Sequence, residues 1–290
     1  MIDVLAPGPY ATVQDLGRPG YAHLGVPRSG AADTAGLRLA NRLVGNPEGH
    51  AGLELTFGLA RFGFRSGAWL AATGAPCPME IRNEPGVIAS APGMGAPFWV
   101  PAGAELRVGP PERGLRTYLA VRGGIDVEPV LGSRSTDSLS GLGPPPLRPG
   151  TTLAVGEGRA LDPISVDLAP PPAPPAPVLR VLAGPRDDWF TPEALGALCA
   201  EPYEVSQDSN RVGVRLRGPV LARAKEGELP SEGMVTGAVQ VPPSGQPIVF
   251  LSDHPPTGGY PVIGVVLTAD LAVAAQLRPG DRVRFRLAGR

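Results

Sequence analysis

The sequence predicts a mainly β protein made of two tandem β-barrel domains with a few short helices. Three observations predict it. Short alternating or apolar runs, bounded by Gly/Pro clusters, recur along the whole chain. One proline-dense stretch divides the chain. Three sequence patterns occur on both sides of that stretch in the same order.

The 290 residues suffice for two ordinary domains or one large all-β domain. The 40 glycines and 37 prolines are spread between apolar runs rather than pooled, which suits strands joined by tight turns. Arg282 to Leu287, Glu105 to Val108 and Arg211 to Leu216 alternate apolar with polar residues, while Tyr118 to Val121 and Pro247 to Leu251 read as buried strands. Helical windows are few. Ala31 to Val44 sets Ala35, Leu39 and Leu43 at helical spacing, with Asp33 near its start and Gly45 just past its end. Thr191 to Cys199, with Thr191 as N-cap and Pro192 in the first turn, is a second helix, and Asp270 to Gln276 a third.

Ala169 to Pro177 reads APPPAPPAP, which supplies few ladder donors and favours extended polyproline. The expected organisation is a first domain over 1–168, a linker over 169–177 and a second domain over 178–290. Val4-Leu5-Ala6-Pro7-Gly8-Pro9 is echoed by Val181-Leu182-Ala183-Gly184-Pro185. Gln14-Asp15-x-x-Arg18-x-Gly20 returns with identical spacing as Gln207-Asp208-x-x-Arg211-x-Gly213. Leu-Arg-Pro-Gly precedes an alternating run at 147–150 and again at 277–280.

A formal net charge of −1 with no basic block argues against nucleic acid or an anionic membrane as partner. No window reaches the ~20 apolar residues of a membrane helix, and the start of the chain lacks a signal-peptide pattern, so a cytoplasmic protein is expected. Cys77 and Cys199 are read as free thiols. His23, His50 and His254 lack metal-ligand spacing, so no metal site is predicted. There is no phosphate-binding G-x-x-x-x-G-K-[ST] loop and no G-x-S-x-G elbow. The sole lysine, Lys225, lies in AKEGE without flanking methionines, so covalent biotin is not expected on this chain.

Three polar, glycine-rich loops hold the candidate chemistry. In the first, Gln14, Arg18 and Arg28 read as binders of an amide or carboxylate, since arginine's planar fork matches a carboxylate. The competing reading makes this a structural turn with Asp15 pairing to Arg18, and Asn41 and Asn46 bonding backbone. In the second, Gly123 to Asp137, the hydroxyls and amides around Ser133, Arg134 and Ser135 suit an anion, or equally a turn bonding its own backbone. The third runs from Gly237 through Gln240 to Gln246 and on through Ser252-Asp253-His254-Pro-Pro-Thr257-Gly258-Gly259-Tyr260-Pro261. There Asp253, His254, Gly258, Gly259 and Tyr260 are the catalytic candidates, with His254 as acid/base and the glycine amides as oxyanion donors. Its competing reading is a proline-rich turn capped by His254.

TVQDLGRPG, RSGAAD…ANRLVGN, LELT, YLAVRGGI…VLGSRSTD, QDSNRVGVRL and SDHPPTGGYP together resemble the KipA family over nearly the whole chain. Its members form the C component of prokaryotic 5-oxoprolinase, and the family is also called allophanate hydrolase subunit 2. The resemblance implies two tandem cyclophilin-like β-barrel domains. It implies work with a KipI-like partner (the B component of 5-oxoprolinase) and a LamB/YcsF-like partner (the A component). Together these open 5-oxo-L-proline to L-glutamate using ATP, with Mg2+, bound at the level of the complex. Asn210, Arg211 and Gln240, polar residues of these loops and motif blocks, join the candidate substrate-binding set. The same fold serves carboxyl transfer in urea carboxylase, and a regulatory protein binding a KipI-like kinase inhibitor is a third reading.

Overall fold

The computed structural model describes residues 1–84, 87–158, 161–170, 176–227 and 229–289. The chain folds as two compact units. One comprises Met1–Arg18, Asp33–Asp137 and Gly141–Ala173; the other Pro19–Ala32, Ser138–Ser140 and Pro174–Arg290. Two short segments, 19–32 and 138–140, therefore belong to the second unit although most of their sequence neighbours belong to the first. Residues 171–175 of the proline-dense stretch lie outside the described residues.

The first unit holds two sheets around one core. The larger has seven strands in the order Ile125–Asp126, Thr152–Val155, Ile2–Ala6, Ala60–Phe64, Glu105–Val108, Met79–Glu84 and Val87–Ser90. The smaller runs Tyr10–Gln14, Gly52–Thr56, Arg116–Val121, Ala68–Gly74 and Pro97–Val100. Val4, Leu53, Leu55, Phe62, Leu70, Leu106 and Leu119 meet between them. Every residue of Arg116–Val121 is buried, because one face lines this core while helix α1 (Thr34–Leu43) packs on the other. Asp33 caps α1 by accepting the Gly36 N–H at 2.9 Å, and Gly45 turns the chain out of it at φ 69°. Gly36 is required by close packing, since a Cβ there would lie 2.9 Å from the Tyr118 ring.

The second unit is a closed seven-stranded barrel. Its order is Val178–Ala183, Val262–Val266, Ala238–Gln240, Ile248–Phe250, Gly213–Arg217, Tyr203–Val205 and Arg282–Leu287. Strictly alternating directions cannot close a ring of seven, so one neighbouring pair must be parallel. That pair is Val178–Ala183 with Arg282–Leu287, and the other six pairings are antiparallel. Closure removes the sheet edges. Val283 and Phe285 point into the barrel while Arg282, Arg284 and Arg286 point out, the alternation legible in the sequence. Phe285 meets Tyr203 edge to face at 5.9 Å between ring centroids. Helices α2 (Ala194–Ala200) and α3 (Leu271–Gln276) pack on the barrel through Leu198 and Ala274. Helix α2 starts later than Thr191 predicts: residues 191–193 form a turn in which Ala194 N–H bonds the Thr191 carbonyl at 3.0 Å.

Among the described residues no helix is long and apolar enough to cross a membrane. Phe285→Ala should cost about 3–5 kcal/mol by opening a cavity inside the barrel, while Arg282→Ala on the same strand should change stability by less than about 0.5 kcal/mol. Urea unfolding midpoints of the two variants check the strand's inside-outside assignment.

Candidate functional site

The first unit engages its motif residues internally. Asp15 accepts Ser133 Oγ at 2.6 Å, Ser135 Oγ at 2.5 Å, and the N–H groups of Arg134 and Gly17 at 2.6 and 2.7 Å. Arg18, 1% exposed, donates to the carbonyls of Val130 and Ser135. Gln14 donates to Thr12 Oγ1 and the Thr136 carbonyl, both at 3.0 Å, and its buried Oε1 has no partner among the described residues. Arg134 reaches the Val127 carbonyl at 2.8 Å and Asp126 at 3.2 Å. Asn41 donates to the carbonyls of Glu48 and His50, and Asn46 to Asn41 Oδ1 and the Val121 carbonyl. Tyr118 donates to Glu54 at 2.8 Å and accepts the Asp33 N–H at 2.7 Å. Gln14, Arg18, Ser133 and Ser135 are all buried. They form a turn-locking network closed to solvent, the structural arrangement that the loop's composition left open.

The second unit differs. Arg211 and Asp253, 3% and 0% exposed in their side chains, form a two-toothed ion pair at 2.9 and 3.0 Å. Asp253 also accepts the N–H and Oγ of Ser138 at 3.0 and 2.6 Å. Arg211 also donates to the Gly30 carbonyl at 2.6 Å. Backbone bonds tighten the knot: Asp253 N–H to the Arg211 carbonyl at 3.1 Å, and Ser29 N–H to the Ser252 carbonyl at 3.1 Å. One ion pair thus ties together loops that carry Arg28, Ser138, Asn210 and His254. Asn210 turns its Oδ1 onto the N–H of Val212 at 2.8 Å, shaping the turn behind Arg211.

His254 follows this knot directly. Its Nδ1 lies 2.9 Å from the Pro255 carbonyl. A carbonyl only accepts, so Nδ1 carries the proton and Nε2 the lone pair. Nε2 has no partner among the described residues. Burial lowers the His254 pKa below its usual value, against smaller upward pulls from the Pro255 bond and the Asp253 charge. His254 is therefore a neutral imidazole with a basic nitrogen on offer. Arg28 is exposed, and its guanidinium has no partner among the described residues.

A second cluster follows on the same loop. Gln240 Nε2 donates to the Tyr260 carbonyl at 3.1 Å, and the Arg223 guanidinium lies 5.9 Å from the Tyr260 ring centroid. A Cβ on Gly258 would stand 2.7 Å from Gln240 Nε2, so a larger residue there would push the Gln240 amide aside. Thr257–Gly258 pairs with Glu232–Gly233, and the Gly259 carbonyl accepts the Leu229 N–H at 3.1 Å. The N–H groups of Gly259 and Tyr260 have no acceptor among the described residues. Sequence reasoning missed Ser138 and Gly30; the serine that ends VLGSRSTDS was the available signal for the first.

Asp253→Ala strands the Arg211 cation in a buried position and should cost about 3–5 kcal/mol, read as a shift in urea midpoint. Because folding depresses the His254 pKa, its stabilising contribution is present above about pH 6.5 and is lost as pH falls through the folded pKa. His50, lowered chiefly by burial, acts in the same direction. His254→Gln should therefore reduce the loss of stability on acidification below about pH 6.5, measured by unfolding at a series of pH values.

Comparison with known proteins agrees with this fold. The family model for the carboxyltransferase domain, subdomain A and B, matches residues 24–287. The chain is 38% identical to the C component of 5-oxoprolinase from Escherichia coli (strain K12) over 290 residues, covering 98% of this chain and 90% of that one. Among solved structures, that of TTHA0988 superposes with a TM-score of 0.86 at 38% identity, covering 98% of this chain and 55% of that one. The K. lactis urea amidolyase gives a TM-score of 0.89 at 31% identity, covering 98% of this chain and 18% of that one. This chain belongs to the carboxyltransferase-domain family, subdomains A and B, and is similar over nearly all its length to the C component of 5-oxoprolinase.

Proposed function

We propose that this chain is one component of an ATP-dependent 5-oxoprolinase, acting with a KipI-like and a LamB/YcsF-like partner to open 5-oxo-L-proline to L-glutamate. The observation that carries this reading is coverage. The chain spans 90% of a protein that is itself a 5-oxoprolinase component, but 18% of a urea amidolyase.

The chemistry asks for three things of this polypeptide. Opening the lactam adds water across a C–N bond that resists attack, so transfer of a phosphoryl group from ATP to the amide oxygen, releasing ADP, makes the carbonyl carbon electrophilic. Once the ring nitrogen has left, a second water hydrolyses the remaining acyl phosphate to the carboxylate and inorganic phosphate. A base must take a proton from the attacking water, and an acid must return one to the departing ring nitrogen. His254 suits both steps in turn: Nε2 receives the water's proton and then delivers it to nitrogen, while Nδ1 stays bonded to Pro255. Negative charge gathers on the carbonyl oxygen when the second water attacks the acyl phosphate, and the N–H groups of Gly259 and Tyr260 are donors suited to it. The substrate's carboxylate needs a cationic fork. Arg28 takes that role rather than Arg18, because Arg28 is exposed and Arg18 is buried against two carbonyls. Asp253 positions His254 and does not itself exchange protons, since its oxygens already accept from Arg211 and Ser138.

Likeness to urea amidolyase favours a second reading, a carboxyltransferase component acting on urea. Mixing the chain with its two partners, 5-oxoproline and ATP should yield glutamate well above the mixture lacking this chain. His254→Gln should lower kcat about 100-fold or more, while Arg28→Gln should mainly raise KM. No glutamate above that control mixture, together with urea-dependent carboxyl transfer, would select the second reading.

A further inference from the structure

A cleft of about 170 Å3 opens on the outer surface of the second unit's barrel, lined by Ser206, Asp208, Arg215, Arg217, Ser244 and Gln246 among others. Arg215 and Arg217 alternate with the buried Val214 and Leu216, so both guanidinium groups leave the barrel on one side. The walls are fixed by local bonds. Ser209 Oγ accepts the Arg215 N–H at 3.0 Å, and the Gln246 amide clasps Gly218 through bonds of 2.8 Å to its N–H and 3.1 Å to its carbonyl.

The charges do not cancel. Asp208 accepts Ser206 Oγ at 3.1 Å and faces Arg217 at 3.5 Å. Arg215 has no side-chain partner among the described residues, so the cleft keeps one unmatched cation. The repeated Gln-Asp-x-x-Arg turn explains the opening. In the first unit its aspartate, Asp15, is buried under serine hydroxyls and backbone amides. In the second, Asp208 keeps 72% of its side chain exposed at the cleft wall. The turn that closes on itself in one copy is left open in the other.

We propose that this cleft binds a small carboxylate, held on the planar fork of Arg215 with the Ser244 hydroxyl beside it. An arginine fork matches a carboxylate in two parallel hydrogen bonds. The volume is below the ~300–1,000 Å3 typical of drug-sized ligands, which limits the ligand to a few heavy atoms. The site shares no residue with the Arg211–Asp253–His254 set and does not rest on the chemistry proposed for it.

The test titrates succinamate, a small monocarboxylate, into the full chain at low salt by calorimetry, with neutral succinamide and inorganic phosphate in parallel. Succinamate should bind saturably with a Kd in roughly the millimolar range, and succinamide should not saturate. Arg215→Gln should weaken succinamate about tenfold or more. Asp208→Asn, which releases Arg217, should tighten it. Both side chains are exposed, and unchanged unfolding midpoints would establish that the variants fold. Equal affinity for succinamide, equal affinity in Arg215→Gln, no saturation below about 20 mM, or phosphate binding more tightly than succinamate would each overturn the assignment.

Discussion

A single buried carboxylate organises the second unit's loops. Asp253 accepts four donors, two from Arg211 and two from Ser138, and Arg211 reaches on to the Gly30 carbonyl. Taking a carboxylate and a guanidinium out of water is costly, and their mutual attraction offsets this only when geometry is good and the remaining lone pairs are filled. Both conditions hold here. The return is positional rather than thermodynamic: segments distant in sequence are fixed against one another, and His254 emerges from the knot with its orientation set. The Pro255 carbonyl then selects the tautomer. A side chain free to rotate could present either nitrogen; this one presents Nε2.

The two copies of the Gln-Asp-x-x-Arg turn show how one motif serves different ends. In both, the arginine is buried and the turn follows or precedes a barrel or sheet strand. In the first unit the arginine donates to the carbonyls of Val130 and Ser135, and the serines of the Ser133–Ser135 segment fill the aspartate's lone pairs. In the second, a different aspartate, Asp253, satisfies the arginine, and Asp208 is released to the surface. One unit is left with a sealed network and the other with an exposed aspartate at its surface. The chemistry is assigned to the second unit because His254 Nε2 has no partner among the described residues and Arg28 is exposed.

Much of the fold was legible because its signals are local. The alternation of Arg282 to Leu287 follows from a strand with one buried face, and Asp33 with Gly45 marked the helix ends through short-range bonds. Mainly β architecture follows from such signals summed along the chain. The start of α2 was misplaced because Thr191 and Pro192 satisfy the composition of a helix start, yet the chain there makes a single turn before Ala194. The candidate site was legible in residue type and less so in role. Gln14, Arg18, Ser133 and Ser135 are polar residues in glycine-rich loops, which suits a binding surface and a sealed turn network equally well. Burial decides between them, and burial depends on long-range packing. The Arg211–Asp253 pair spans 42 positions and Ser138 lies 115 from Asp253; no spacing rule links residues so far apart.

The knot's consequence for chemistry is a neutral His254 imidazole, protonated on Nδ1 with Nε2 open. Imidazole 15N NMR over a pH series reads that state at the ring itself, and with three histidines in the chain the His254 signals are assignable from a His254→Gln spectrum. The expected spectrum has a protonated Nδ1 and an unprotonated Nε2 at neutral pH, with titration below about 6.5. An Nε2-protonated ring, or a His254 pKa above that value, would contradict it.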